Sequence, residues 1–218
     1  MSAPPFMLDQ GLRKSEAVSL YPASCYDETG VIIPRHIRGS FPLQEYICDL
    51  AAKHPEDIER LMSLPNMYDP KQWKLVFVYE HLRLVTSQLS GLVSALADVC
   101  DSVRCPTMRV TQEWMFLCAC HPSPRECSAI DYIVHTLDAT GSHLNSTASF
   151  PNRNTIPLSA GKFFGSIVRR LHRVFAHAYY HHRPQFDQFE AETHLCQRFN
   201  VFVVKFALMH SNQFLFKL

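Results

Sequence analysis

The sequence predicts a mainly α-helical bundle, and three observations carry that expectation. Two long stretches repeat apolar residues at spacings of three and four, the period of a helix with one buried face. Seven glycines in 218 residues are too few for a loop-rich all-β fold or a glycine-rich nucleotide-binding loop. Hydrophobic residues at 47% and charged residues at 19% supply a sizeable core and exclude a disordered chain.

Residues 1–45 read as an extended arm, because prolines at 4, 5, 22, 34 and 42 interrupt any helical period and Gly11, Gly30 and Gly39 add breaks. The apolar run Val31-Ile32-Ile33-Pro34 fits a sheet edge or the core surface. Residues 43–53 predict a short helix, and His54-Pro55-Glu56-Asp57 a turn into another that ends by Leu64. Pro65-Asn66 and Asp69-Pro70 form a linker, which divides the chain into an arm of residues 1–70, packing on the core, and a helical domain of residues 71–218.

From Lys71 the pattern changes. Leu75, Val78, Leu82, Val85, Leu89, Leu92, Leu96 and Val99 alternate spacings of three and four, which predicts an amphipathic helix stopped by Asp101, Arg104 and Pro106. Residues 107–120, with Met108, Val110, Trp114, Phe116 and Leu117, read as a small β-hairpin closed by Pro122 and Pro124. Ser128-Ala129-Ile130-Asp131 fits a capping-box start for a helix reaching Leu144. Residues 145–157 form a polar loop holding Pro151 and Pro157. A further helix spans 159–182 on the stripe Ile167, Leu171, Val174, Phe175 and Ala178, and Pro184 ends it. One last helix spans 186–209, with Phe189, Cys196, Phe199, Val203 and Phe206 on its apolar face.

Lys and Arg number 21 and Asp and Glu 20, so a net charge of +1 gives no global pull toward nucleic acid or anionic membrane. The opening Met1-Ser2-Ala3-Pro4-Pro5 does not read as a secretory leader and, with Ser2, offers no myristoylation site; no apolar run is long enough to span a bilayer. The chain is therefore expected to be soluble and intracellular, with its cysteines as thiols or metal ligands.

Twelve His and eight Cys raise a metal question. Cys100 and Cys105 are separated by four intervening residues just past one helix, and His177 and His182 by four at the end of another. Two thiolates and two imidazoles suit tetrahedral zinc. The plainer account makes Cys100 a core thiol and the histidines helix C-terminal caps. Helix geometry favours His181 over His182: at about 100° per residue, His177 and His182 diverge by about 140° and His177 and His181 by about 40°. A distorted last turn would be needed to admit His182. Cys118, Cys120, His121 and Cys127 form a second cluster, but strand alternation puts Cys118 and Cys120 on one face, so a buried core face is the simpler reading.

Arg169, Arg170 and Arg173 sit on the histidine-bearing helix. Arg169 and Arg173 share a face turned from the apolar stripe, with Arg170 nearer its edge. A solvated helix face explains three arginines in general. Yet residues 162–183 hold five Lys/Arg and no Asp or Glu, and guanidinium forks bind phosphate oxygens bidentately. A phosphorylated Ser or Thr of a partner is the natural ligand, ahead of nucleic acid, because no aromatic-interleaved basic stripe extends the patch. Catalytic signatures are missing from the sequence, and four ligands would leave a metal no open position; Glu113 or Asp131 as a general base is not selected by any spacing.

These motifs together resemble the Mob family of kinase regulators, most closely its striatin-associated phocein branch. The resemblance rests on Cys100-Asp101-Ser102-Val103-Arg104-Cys105-Pro106, on Gln112-Glu113-Trp114, and on the run from Arg169-Arg170 through His177 to His182. Phocein-like stretches are Tyr79-Glu80-His81-Leu82-Arg83, Trp114-Met115-Phe116-Leu117-Cys118-Ala119, Glu126-Cys127-Ser128-Ala129-Ile130-Asp131-Tyr132 and His135-Thr136-Leu137-Asp138. It covers roughly residues 70–210. It implies a helical bundle on a four-helix core with one structural zinc held by Cys100, Cys105, His177 and His182, against the geometric preference for His181. It also implies that Arg169, Arg170 and Arg173 fall on a phosphopeptide pocket. The implied function is a non-catalytic cytoplasmic adaptor. It would bind Ste20-like kinases and striatin–phosphatase 2A assemblies in Hippo-like signalling or vesicle traffic. It would bind no nucleic acid and would reach Golgi or vesicle membranes only through partners.

Three departures stand out. Leu75-Val76-Phe77-Val78 is an insertion relative to the phocein pattern, about one helical turn. Gln72-Trp73 replaces an acidic-aromatic kinase contact, and an apolar tail stands where an acidic one is expected. The competing readings are a zinc-dependent hydrolase, which needs an exchangeable water on the metal, and a small nucleic-acid-binding zinc module, which needs steeply salt-dependent binding.

Overall fold

The computed structural model describes residues 21–218. The first twenty residues of the expected arm lie outside them. The fold begins with α1 (Pro42–Lys53), which buries Leu43, Tyr46, Ile47, Leu50 and Ala51. A short α2 (Ile58–Leu61) follows, capped by the Asp57 carboxylate, which accepts from the Arg60 N–H at 3.1 Å. Val31 and Ile32 lie on the core, with the Ile32 N–H bonded to the Asp49 carboxylate at 2.8 Å.

The organising element is α3 (Pro70–Leu96), 27 residues long, about 40 Å. Asp69 caps its first turn and Pro70 occupies the position where a missing N–H costs nothing. The stripe read from the sequence is buried from Val78 through Leu96, and α1, α4, α5, α6 and α7 all pack on this helix. The four residues set apart as an insertion lie inside it. Val76, Phe77 and Val78 are buried, and the Phe77 ring stands 5.6 Å from Phe206, so this turn feeds the core.

Residues 107–120 do not form a strand ladder. Isolated bridges join Arg109 to Met115 and Cys118 to Arg125. The expected β-hairpin is reduced to two backbone bonds, Val110 N–H to Trp114 O and Phe116 N–H to Met108 O, both 2.9 Å. Met108, Val110 and Cys118 point into the core while Trp114 and Leu117 remain exposed, so the chain folds onto the helices as a turn and not as a sheet.

The next helix, α4 (Ala129–Leu144), starts as predicted. The Ser128 hydroxyl accepts from the Asp131 N–H at 3.2 Å and donates to the Asp131 carboxylate at 2.7 Å. At its other end the Tyr79 hydroxyl donates to the Leu144 carbonyl at 2.6 Å. A short 3-10 turn, Leu158–Ala160, leads into α5 (Gly161–His181). The single last helix expected from the sequence is two, α6 (Arg183–Thr193) and α7 (Leu195–Lys205). His194 breaks them in the left-handed region (φ 49°). Glu190 makes the break tolerable, because its carboxylate accepts from the Cys196 and Gln197 N–H groups at 2.7 and 2.9 Å and so caps α7.

One core joins these elements, with Phe77, Phe164, Phe175, Phe186, Phe199 and Phe202 fully buried. The apolar tail returns to α5. Phe216 stacks on Tyr179 at 4.4 Å, and the Leu215 N–H donates to His172 Nε2 at 2.9 Å. Among the described residues no helix is long and apolar enough to cross a membrane.

Candidate functional site

Cys100, Cys105, His177 and His182, 77 residues apart in two pairs, converge in a buried cluster whose ligand atoms all lie within 4.8 Å of one another. Each pair owes its place to a helix end. The Cys100 N–H bonds to the Leu96 carbonyl at 2.8 Å, continuing α3 by a final turn, and the Cys105 N–H bonds to the Asp101 carbonyl at 2.8 Å. Asp101 shapes the loop between them by accepting from the Val103 and Arg104 N–H groups at 2.9 and 2.7 Å.

His177 lies in the last two turns of α5 and His182 is its C-cap, with φ −139° and ψ 50°. That non-helical conformation swings the ring out of regular register. His182 is 7% exposed and faces Cys105, whereas His181 is exposed and stacks on His177 at 4.7 Å. The preference of a regular helix for His181 thus fails at the residue where the helix stops being regular. Pro184 accounts for the stop, since α5 cannot run through it and α6 begins there with proline in its first turn.

Cys100 Sγ stands 3.5 Å from His177 Nε2 and Cys105 Sγ 3.4 Å from His182 Nε2. A tetrahedron with zinc–sulfur and zinc–nitrogen bonds of ordinary length has a sulfur–nitrogen edge of about 3.6 Å. The donor set and spacing therefore fit zinc. Burial and the neighbouring Cys105 push the Cys100 thiol up to about 12, and burial lowers the imidazoles of His177, to about 4, and of His182. Neutral imidazoles are the metal-binding form. His177 Nδ1 is 2.6 Å from the Arg109 carbonyl, the outer-shell bond that aims Nε2 at the cluster. With four protein donors, a metal here would have no open position for a substrate. Asp131 is already spent on the α4 cap.

The three arginines separate. Arg169 is exposed, and Arg170 and Arg173 are half-buried. Arg173 donates to the Tyr132 hydroxyl at 2.8 Å and covers the Phe116 ring at 4.1 Å, so it joins α5 to α4 and to the irregular segment. Among the described residues none of the three pairs with a carboxylate.

Sequence reasoning missed a second polar node. Glu80, 3% exposed on α3, receives Arg153 of the 145–157 loop at 2.8 Å from both carboxylate oxygens. Arg153 also reaches Gln44 at 2.7 Å and covers the Phe41 ring at 3.9 Å, which ties α1, α3 and the loop together. The sequence carried no signal for it, because Glu80 lies off the Leu75–Val99 stripe and Arg153 sits in a polar loop.

Comparison with known proteins agrees with this architecture. The Mob1/phocein family profile matches residues 50–215. The chain is 46% identical over 167 residues to a MOB kinase activator-like 4 of Drosophila melanogaster, covering 77% of this chain and 73% of that protein. It is 43% identical to a MOB-like protein phocein of Caenorhabditis elegans over the same shares of the two chains. A MOB kinase activator-like 3 of Drosophila melanogaster is 26% identical over 72% of this chain and 73% of its own length. With a profile that spans the end of α1 to the C-terminal tail and two relatives above 40% identity, this chain belongs to the Mob1/phocein family.

Proposed function

We propose that the protein is a non-catalytic adaptor that docks a phosphorylated segment of a partner on the face carrying Arg169, Arg170 and Arg173, with one structural zinc at Cys100, Cys105, His177 and His182. The observation that carries this reading is the closed Cys2His2 cluster at the very end of the basic helix. It joins the far end of α3 to the end of α5, so the two histidine ligands and the guanidinium groups share one helix. When bound, zinc would supply the charge that lets both thiols ionise inside the core. The chain's own residues do the rest. Arg109 orients His177, Arg173 is held by Tyr132 and Phe116, and Arg169 and Arg170 stay available to phosphate oxygens.

The partner class follows from the relatives, two of which are named as kinase activator-like. A Ste20-like kinase and a striatin–phosphatase 2A assembly are the partners that the phocein branch suggests. The site would then be cytoplasmic, meeting membranes through those partners. Residues 1–70 would act as an arm packed on the domain of residues 71–218.

The test is binding of a fluorescent phosphothreonine peptide and its unphosphorylated twin. The phosphopeptide is expected to bind at least about tenfold tighter, and Arg169→Ala with Arg170→Ala to remove the difference. Equal binding of the two peptides by the native protein sinks the docking reading. Affinity capture followed by mass spectrometry tests the partners. Recovery of neither a Ste20-like kinase nor a striatin removes that assignment.

A further inference from the structure

Between α3 and α4 the chain runs over 30 residues with no helix and only isolated bridges. Irregular segments of this length inside a folded domain need fastening. One end is fastened by Cys105, whose carbonyl accepts from the Ala129 N–H at 2.9 Å. The other end folds into a tight knuckle. Cys118 and Arg125 exchange backbone bonds of 2.7 and 3.2 Å, which closes a turn carrying His121, and Cys127 follows just outside it. The second turn of α4 then places His135 against the knuckle.

Four donor atoms meet there. One each from Cys118, His121, Cys127 and His135 lie within 4.8 Å of one another. His121 Nε2 is 3.1 Å from Cys127 Sγ, and His135 Nδ1 is 3.7 Å from Cys118 Sγ and 3.9 Å from Cys127 Sγ. These values bracket the sulfur–nitrogen edge of about 3.6 Å expected around tetrahedral zinc. The two imidazoles meet edge to face at 5.0 Å, so both ring nitrogens can aim at the sulfurs. The arrangement is selective. Cys120, two residues from Cys118, is exposed and points its thiol at the His135 carbonyl, 3.3 Å away. Strand alternation, which would bury Cys118 and Cys120 on one face, is broken by the knuckle. A packed core face therefore does not explain why Cys118 and Cys127 turn inward.

We propose that Cys118, His121, Cys127 and His135 form a second structural zinc site, separate from the cluster at the ends of α3 and α5. On binding, the two thiols release their protons to solvent, the two thiolates neutralise the divalent ion and the imidazoles remain neutral. Two thiolates disfavour magnesium and calcium, which take oxygen donors. The site staples the knuckle to α4, as the first cluster staples the Cys100–Cys105 loop to α5.

Native mass spectrometry and elemental analysis of the full chain, purified under reductant, test this directly. Two zinc ions per chain are expected. Cys127→Ser with His135→Asn is expected to keep one, and His182→Asn to keep the other. Zinc-edge anomalous diffraction from native crystals places each ion without relying on a variant that folds. One zinc per chain located at Cys100, Cys105, His177 and His182, a second zinc indifferent to the Cys127 and His135 substitutions, or a Cys118–Cys127 disulfide in the reduced preparation would each overturn the second site. A zinc found only at the knuckle would instead overturn the metal part of the proposed function and leave this site standing.

Discussion

The Nδ1 atom of His177 lies 2.6 Å from the carbonyl oxygen of Arg109, and this contact fixes which ring nitrogen faces Cys100. A carbonyl only accepts, so Nδ1 carries the proton and donates it, and Nε2 keeps the lone pair that accepts a hydrogen bond or binds a metal. The irregular segment thus sets the chemistry of a helix it does not continue.

That geometry separates His181 from His182, although both sit at one helix end. If the proposed zinc occupies the first cluster, His182→Asn is expected to release it and to lower stability by several kcal/mol, because a closed four-ligand site contributes folding energy directly. His181→Asn, at an exposed position, is expected to change stability by less than about 0.5 kcal/mol and to keep the metal. Metal content together with urea unfolding reads both outcomes.

The Glu80–Arg153 pair provides a second test, independent of metal. Arg153→Leu would leave the Glu80 carboxylate, 3% exposed, with only the longer contact to Arg83 at 3.7 Å and is expected to cost about 3 kcal/mol. Glu80→Leu together with Arg153→Leu is expected to recover part of that loss, since the buried carboxylate goes with its partner while Arg83, 21% exposed, keeps its bond to Asn145. A double-mutant cycle by denaturant unfolding checks the coupling.

Acid should weaken the fold through buried histidines. Burial pushes His81 down from 6.5 to about 3 and His172 down from 6.5 to about 4, so both are neutral in the folded chain. The unfolded chain takes up their protons near pH 6.5, and between there and about pH 4 it binds more protons than the folded chain. Stability is therefore complete above about pH 6.5 and falls as pH drops, by up to about 1.4 kcal/mol per pH unit for each histidine. Unfolding at pH 7 and pH 5 should show the fall, and His81→Phe should flatten it relative to the native chain.

The arginines are expected to divide by role. Arg169→Ala should leave stability within about 0.5 kcal/mol while weakening phosphopeptide binding. Arg173→Ala should also cost about 1–2 kcal/mol of stability, because it removes the Tyr132 hydrogen bond and the contact with the Phe116 ring. Thermal melts run beside the peptide titration distinguish the two.

Much of this was legible in the residues. The alternating three-and-four spacing from Leu75 to Val99 and the Ser128–Asp131 box gave α3 and α4 nearly to their ends, since both signals are local. The break at His194 was not legible. It depends on Glu190 reaching ahead to cap Cys196 and Gln197, while the apolar pattern of Phe189, Cys196 and Phe199 continues across it. The hairpin was overread, because β-tending residues between two helices were buried against those helices instead of being paired with one another.

The sequence by itself determined the helices, the placing of two cysteines past one helix end and two histidines at another, and the concentration of arginine on a single helix. Periodicity, capping and charge are properties of neighbours in the chain, so they can be read there. Only the tertiary structure showed how the non-helical cap angles turn His182 into the cluster, which the resemblance implied and helix geometry opposed, that Cys127 turns inward while Cys120 is exposed, and that Arg173 is partly committed to Tyr132 and Phe116. Each of these depends on a backbone angle or a contact between segments far apart in sequence, and no local pattern specifies such a distance.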